Sequence, residues 1–428
     1  MRLELNIVSI KDVNFGANTA IKDGVLQINQ RELQELLEED KRLGRVEIEL
    51  AHPGEKCRIL QTSDVIEPRA KIGESGKNFP GALDQHGTVG MGPTCVLRGV
   101  SVVTIDDSER GDFYRDMNGE IIDMSGPGAE LTIYGKTHNV AVLPFPADGV
   151  SLSDYRLALK VAGLKTAVYL AEAGKSLKPD AIEVYEIPPL MDIEKQRKDL
   201  PRVAYVFQLF AAQFGGITED PVLYGGNVDK IVPTILHPNE VLDGALISPY
   251  RGKGIETYMI QNHPIIKKLY QRNGKDLHFA GVIITIAHNN EHENRRAATI
   301  SANLAKWVLR TDGVILTKVF GGAPEMAIAQ TAQRCEELGV KTVLAMWQQA
   351  ADDSQEIDTL FSFQEVNAIV SMGILFEPIS LPHMERIIGR PVPLSGGGSI
   401  SDKIDRQLQW IKGAIGQLGT SRLMASRY

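Results

Sequence analysis

Val282-Ile-Ile-Thr-Ile286 is almost wholly apolar and mostly β-branched, and from Glu293 to Leu309 the chain changes to a helical repeat. A short apolar strand followed by an amphipathic helix is half of a unit that buries both faces of a parallel sheet. The rhythm recurs on either side. Val203 to Leu209, Val314 to Thr317, Thr342 to Met346 and Ala368 to Ser371 read as further strands. Ile265 to Tyr270, Pro324 to Leu338 and Phe361 to Val366 read as helices between them. Residues 201–428 are therefore expected to form a doubly wound α/β domain with ligands at the carboxyl ends of its strands. A last helix is expected from Asp402 to Leu418, after Ser395-Gly-Gly-Gly-Ser399.

Upstream the period changes to two. Leu3 to Ile10, Gly24 to Asn29 and Val46 to Leu50 alternate as half-buried strands, with one helix from Gln30 to Leu43. A glycine-dense loop follows, Gly73 through Gly99, and then two strands, Val100 to Ile105 and Leu131 to Tyr134, flanking a Ser-Gly-Pro-Gly turn. Residues 1–150 thus read as a β-rich domain. Residues 151–200 read as a helical connector, with Ser153 capping a helix that ends at Gly174 and a polar stretch from Ser176 to Leu200.

The chain has 428 residues, is 43% hydrophobic and carries a net charge of -8. That balance suits a globular protein and argues against nucleic acid as a partner. No apolar run is long enough for a bilayer and none resembles a signal peptide, so membrane association is not expected. Cys57, Cys95 and Cys335 lie far apart and form no C-x-x-C pair, which fits a reducing cytoplasm.

Five segments concentrate chemistry. His237-Pro-Asn-Glu240 with Asp243-Gly244 places a base, an amide and two carboxylates within a few residues. General acid–base work needs such groups together, and a helix cap uses the same residue types. Asp123 and Glu130 flank Met-Ser-Gly-Pro-Gly-Ala and suit ligand orientation, a subunit contact or a tight turn. His288-Asn-Asn-Glu-His292 has zinc-ligand spacing but falls at a strand end, where a polar loop is the plainest reading, substrate contact suits the place, and a metal is the weaker reading. Gly321-Gly322 opens a helix; an ordinary loop is the plainer reading, and free N–H groups there would suit a carboxylate or phosphate. Cys95, with Arg98 nearby, is either a reactive thiol or a buried one.

Taken in order, these blocks resemble the component B proprotein of glycine, sarcosine and betaine reductases, and more distantly that of D-proline reductase. The likeness runs nearly end to end. It includes Val65-Ile-Glu-Pro-Arg69, Val96-Leu-Arg-Gly99, Ile121 to Glu130, Lys230-Ile-Val-Pro-Thr234, Val241-Leu-Asp-Gly-Ala245 and Phe279 to Thr285. The resemblance implies a substrate-binding subunit of a hetero-oligomeric reductase acting on a small amine or carboxylate. In that family a partner subunit's cysteine or selenocysteine attacks the substrate and cleaves its C–N bond. The proprotein splits at an Asn-Cys bond, and the cysteine becomes a pyruvoyl group that holds an amine as a Schiff base.

This chain departs there. After Val241-Leu-Asp-Gly-Ala-Leu-Ile-Ser248 it reads Pro249-Tyr-Arg-Gly-Lys253, and no cysteine occurs between Cys95 and Cys335. An uncleaved subunit without pyruvoyl is expected, using His237, Glu240 and Asp243 for catalysis. Asn239, Asp123, Glu130, His288, Gly321 and Gly322 are the expected substrate contacts. A non-catalytic scaffold, or a metal enzyme using His288 and His292, are the competing readings.

Overall fold

A computed structural model describes the chain except residues 74–78, 80, 84–88, 107, 109–118, 193–198, 211–220, 250–254, 319–321, 349–365, 367, 393, 395–396, 420–423 and 427–428. The protein is mixed α/β, with several sheets. In the C-terminal half five strands run parallel, in the spatial order His278–Ala287, Arg202–Phe210, Gly313–Thr317, Lys341–Gln348, Ala368–Ile374. Thr234–Leu236 and Met424–Ser426 add antiparallel edges. The strands expected from the apolar runs are all present.

Alternation along Arg202–Phe210 sorts its side chains between two cores. Ala204 and Val206 pack with Ala302, Ile328 and Ala332, from the helices Glu291–Asn303 and Ala323–Glu337. Tyr205, Phe207 and Leu209 pack on the other face with Ile260, Ile266 and Leu269 from the helices Thr257–Gln261 and Pro264–Arg272. A strand apolar on both faces has no polar side to offer water, which is why these runs lack alternation in hydropathy.

The N-terminal half holds two four-stranded sheets. One runs Ala181–Glu186, Arg2–Ser9, Gly92–Arg98, Arg69–Lys71, and the other Leu43–Ala51, His138–Pro146, Val100–Ile105, Thr62–Ile66. The helix Leu152–Glu172 lies against them, and Gly163 permits the close approach: a Cβ there would stand 2.5 Å from Thr104 Cγ2. Leu3, Leu5 and Val103 share a hydrophobic cluster with Tyr205 and Phe207, so the two halves are joined by a common core.

Several local expectations need correction. Asp402 to Leu418 is not one helix: Ile404–Gln407 is a strand paired with Pro378–Leu381, followed by a 3₁₀ turn, Leu408–Trp410. Gly413 explains the failure. Its φ is +76° and a Cβ would meet Thr132 Oγ1 at 2.6 Å, so the chain turns there instead of coiling. Leu131 to Tyr134 is not a strand either. Ser125 precedes a short helix, Gly126–Glu130, with proline in its first turn, and a 3₁₀ turn follows at Tyr134–Lys136. Ser151, rather than Ser153, caps the long helix, accepting a hydrogen bond from the Asp154 N–H at 3.1 Å.

The first helix stops at Glu38, and the stretch 176–200 contains the edge strand Ala181–Glu186. The loop expected from Gly73 to Gly99 ends in the strand Gly92–Arg98. Glu293 to Leu309 is helical but passes into a π turn at Leu304–Val308. Almost all of the helix expected from Phe361 to Val366 lies outside the described residues. Among those described, no helix is long and apolar enough to cross a membrane.

Candidate functional site

The block from Pro233 to Gly244 builds an edge strand and a one-and-a-half-turn helix, Pro238–Asp243. Its local sequence dictates the geometry. Pro238 opens the helix, His237 Nδ1 accepts from the Asn239 N–H at 3.2 Å, and Glu240 Oε2 accepts from the His237 N–H at 2.6 Å. Gly244 ends the helix with φ of 105°. This is a reciprocal cap followed by a left-handed stop.

The helix is then locked to distant parts of the chain. Asp243 is fully buried and accepts from Lys71 Nζ at 2.6 Å, Thr94 Oγ1 at 2.7 Å and the Gly90 N–H at 2.7 Å. Burial pushes its carboxyl above the usual range, against the pull of the Lys71 ammonium and the Thr94 and Gly90 donors. Asn239 is equally buried. Its amide nitrogen donates to the carbonyls of Gly90, Tyr185 and Met1, and its oxygen accepts from the Tyr270 hydroxyl. Glu240 Oε1 pairs with the Tyr224 hydroxyl. Asp243 and Asn239 therefore hold the segment in place.

His237 is different. Because Nδ1 accepts a hydrogen bond, the neutral ring carries its proton on Nε2. That Nε2 is buried without a partner among the described residues. Burial, with the Met1 ammonium as a smaller cause, lowers the imidazole to about 4, so near neutral pH it is an uncharged donor with an unused N–H.

The remaining candidates are scattered. Asp123 is fully buried in a bidentate ion pair with Arg58, at 2.6 and 3.0 Å, which corrects the expectation of a substrate or subunit contact. Glu130 is exposed at a helix end and borders a groove of about 520 Å³. His288 Nδ1 lies 3.4 Å from Glu293 Oε2, and burial lowers its imidazole. His292 is exposed in the first turn of its helix. Gly322 precedes the helix Ala323–Glu337 with φ of 72°, while Gly321 lies outside the described residues. No group of potential metal ligands among the described residues contains His288 or His292.

Residues that local motifs could not reveal complete the arrangement. Lys71, Thr94, Tyr224 and Tyr270 reach the helix from elsewhere in the fold. Beyond it, the Ser248 N–H donates to Thr257 Oγ1 at 3.0 Å, and the Ser248 carbonyl accepts from Lys160 Nζ at 2.7 Å. Thr257 in turn donates to the buried Asp64 through its hydroxyl at 2.6 Å and its N–H at 2.9 Å. All three cysteines are buried, and desolvation pushes each thiol up to about 12. Cys95 faces the protein interior and is the buried thiol of the two readings.

Comparison with known proteins identifies close relatives. The profile of a family described as glycine/sarcosine/betaine reductase component B subunits matches residues 1–425. The chain is 36% identical over 440 residues to the glycine reductase complex component B subunits alpha and beta of Acetoanaerobium sticklandii, covering 100% of each. It is 34% identical over 427 residues to the sarcosine reductase complex component B subunit alpha of Peptoclostridium acidaminophilum, covering 98% of this chain and 94% of that one. The betaine reductase complex component B subunit alpha of the same organism is 32% identical over 418 residues, covering 94% and 92%. No solved structure matches the chain.

Proposed function

The chain belongs to the family of glycine/sarcosine/betaine reductase component B subunits, and we propose that it serves as an unsplit, substrate-binding subunit of a hetero-oligomeric reductase. The observation that carries this reading is the full-length match, combined with the location of the thiols. Its relatives are named as parts of reductase complexes. Here every thiol is buried in a strand or helix and held protonated, so this chain supplies no sulfur nucleophile. A cysteine or selenocysteine of a partner subunit performs the reductive cleavage of a C–N or related bond.

The residues present do not fit the pyruvoyl group that the family resemblance implies. No thiol occurs between Cys95 and Cys335. Ser248, the hydroxyl residue that closes the Val241-Leu-Asp-Gly-Ala-Leu-Ile-Ser248 block, is followed by Pro249, and its backbone groups are engaged by Thr257 and Lys160. Substrate is therefore held by hydrogen bonds and charge. Such a site accepts a fully substituted ammonium, which cannot form a Schiff base.

Within this reading the unused His237 Nε2–H binds an acceptor on the substrate, such as a carboxylate, and Glu240 orients His237 through its backbone. Asp243 and Asn239 position the helix. His288 and Gly322 lie at the C-terminal side of the parallel sheet, where they serve a second contact with substrate or partner.

Two measurements test this. The denatured intact mass of the chain, purified with its native partners, is expected at a single value near 47.0 kDa. Two fragments, one carrying a carbonyl, would overturn the unsplit reading. Separately, His237→Asn keeps a capping acceptor but withdraws the Nε2–H donor. Turnover of glycine, sarcosine and betaine by the reconstituted complex shows which is the substrate. For that substrate kcat/KM is expected to fall about 10–100-fold in the variant, the size of one lost hydrogen bond to a charged group. Unchanged turnover in an intact complex would make the chain a scaffold.

A further inference from the structure

Asp12, His52 and His138 meet at the surface of the N-terminal half, away from the segment that holds His237, and we propose that they bind one divalent transition-metal ion of the zinc class. Their ligand atoms all lie within 4.8 Å of one another. The two Nδ1 atoms are 2.9 Å apart, and Asp12 Oδ1 is 3.6 Å from His52 Nδ1 and 3.9 Å from His138 Nδ1. Bonds of about 2.0–2.1 Å in a tetrahedral site give ligand–ligand edges of about 3.3 Å, and the observed triangle brackets that value. The carboxylate is too far from either ring for a hydrogen bond, so proton sharing does not explain why it sits there.

The outer contacts decide what the rings present to the cluster. His138 Nε2 lies 2.9 Å from the Lys11 carbonyl, which can only accept, so that nitrogen carries the proton and Nδ1 offers its lone pair. His52 Nε2 faces Glu55 Oε1 at 3.9 Å, beyond hydrogen-bond reach, so that side does not hold the His52 proton. In the metal-free protein the 2.9 Å contact is then a hydrogen bond from the His52 Nδ1–H to His138 Nδ1, and a cation bound beside the carboxylate would take the place of that proton. A backbone carbonyl behind an imidazole, as Lys11 stands behind His138, is a usual way a ligating histidine is oriented. Asp12 Oδ1 is similarly held by the Val13 N–H at 2.9 Å.

The scaffold is rigid. His138 opens the strand His138–Pro146, whose partner strand ends at Ala51, opposite Asn139, immediately before His52. Asp12 opens a strand of a separate three-stranded sheet. The ion would thus clip two sheets together. Asp12 is half-exposed, which leaves a remaining coordination position open to water or to an external ligand. Imidazole and carboxylate ligands without sulfur suit zinc, cobalt or nickel rather than calcium or magnesium.

The test uses full-length protein stripped with EDTA and dialysed. Titration with Co²⁺ is expected to produce visible d–d absorption saturating at one equivalent, displaced by Zn²⁺, and Zn²⁺ is expected to raise the thermal midpoint. His52→Ala and Asp12→Asn, checked for native circular dichroism, are each expected to weaken Zn²⁺ binding at least tenfold and to abolish that shift. Absence of binding with Co²⁺ and Zn²⁺ in excess over folded protein would overturn the proposal. So would binding that survives both substitutions, since it would place the ion elsewhere.

Discussion

Asp243→Ala is expected to remove about 3–5 kcal/mol of stability, the cost of leaving one half of a buried ion pair without the other. Lys71 is 4% exposed and would keep only Thr94 Oγ1 and the Met91 carbonyl as neutral partners. The Gly90 N–H and the Thr94 hydroxyl would lose their acceptor at the same time. Urea denaturation of wild type, Asp243→Ala, Lys71→Met and the double variant measures this. The double variant is expected to lose less than the sum of the singles, because it removes the stranded charge. A loss below about 1 kcal/mol for Asp243→Ala would show that the helix Pro238–Asp243 is not anchored by this pair.

Acidification should produce the second large effect, through histidines buried in the neutral form. Burial lowers His263 to about 3 and is the main cause of lowering His237 to about 4, both below the ordinary imidazole value near 6.5. At these two histidines the unfolded chain therefore binds more protons than the folded one once the pH drops below about 6.5. The stability these groups allow is fully present above that pH and is lost as the pH falls toward their folded values. Each contributes a loss of about 2–3 kcal/mol by pH 4.5. Asp243, raised by burial, acts with the opposite sign, so the informative quantity is a difference between proteins.

His263→Gln removes one of the two titrations. Stability measured from pH 7 to 4.5 should fall less steeply in this variant than in wild type. Parallel profiles would mean that His263, whose Nε2 lies 3.0 Å from the Tyr205 hydroxyl, is already solvated or protonated in the fold.

The elements legible in the sequence were those whose signal is local. Val282 to Ile286 and its four companions are continuous apolar runs, and a central parallel strand admits little else. The cap at His237 was legible because Pro238, Glu240 and Gly244 act within one helical turn of each other. Gly413 shows the limit of such reading. Ile404, Ile411, Ile415 and Leu418 are all buried and fall near helical spacing, yet contact with Tyr134 and Thr132 forces a turn between them.

The candidate site divides along the same line. Sequence alone was enough to identify the His237–Asp243 segment, the family resemblance and the lack of a cysteine between Cys95 and Cys335. Only the tertiary structure showed that Asp243 and Asn239 are consumed by contacts with Lys71, Thr94, Gly90, Tyr185 and Tyr270, while His237 keeps an unused N–H. It also brought Asp12, His52 and His138 together from positions with no motif spacing. The reason is physical: periodicity and capping act over a few residues, whereas buried ion pairs and ligand clusters depend on which strands become neighbours. That choice is made by packing across the whole chain.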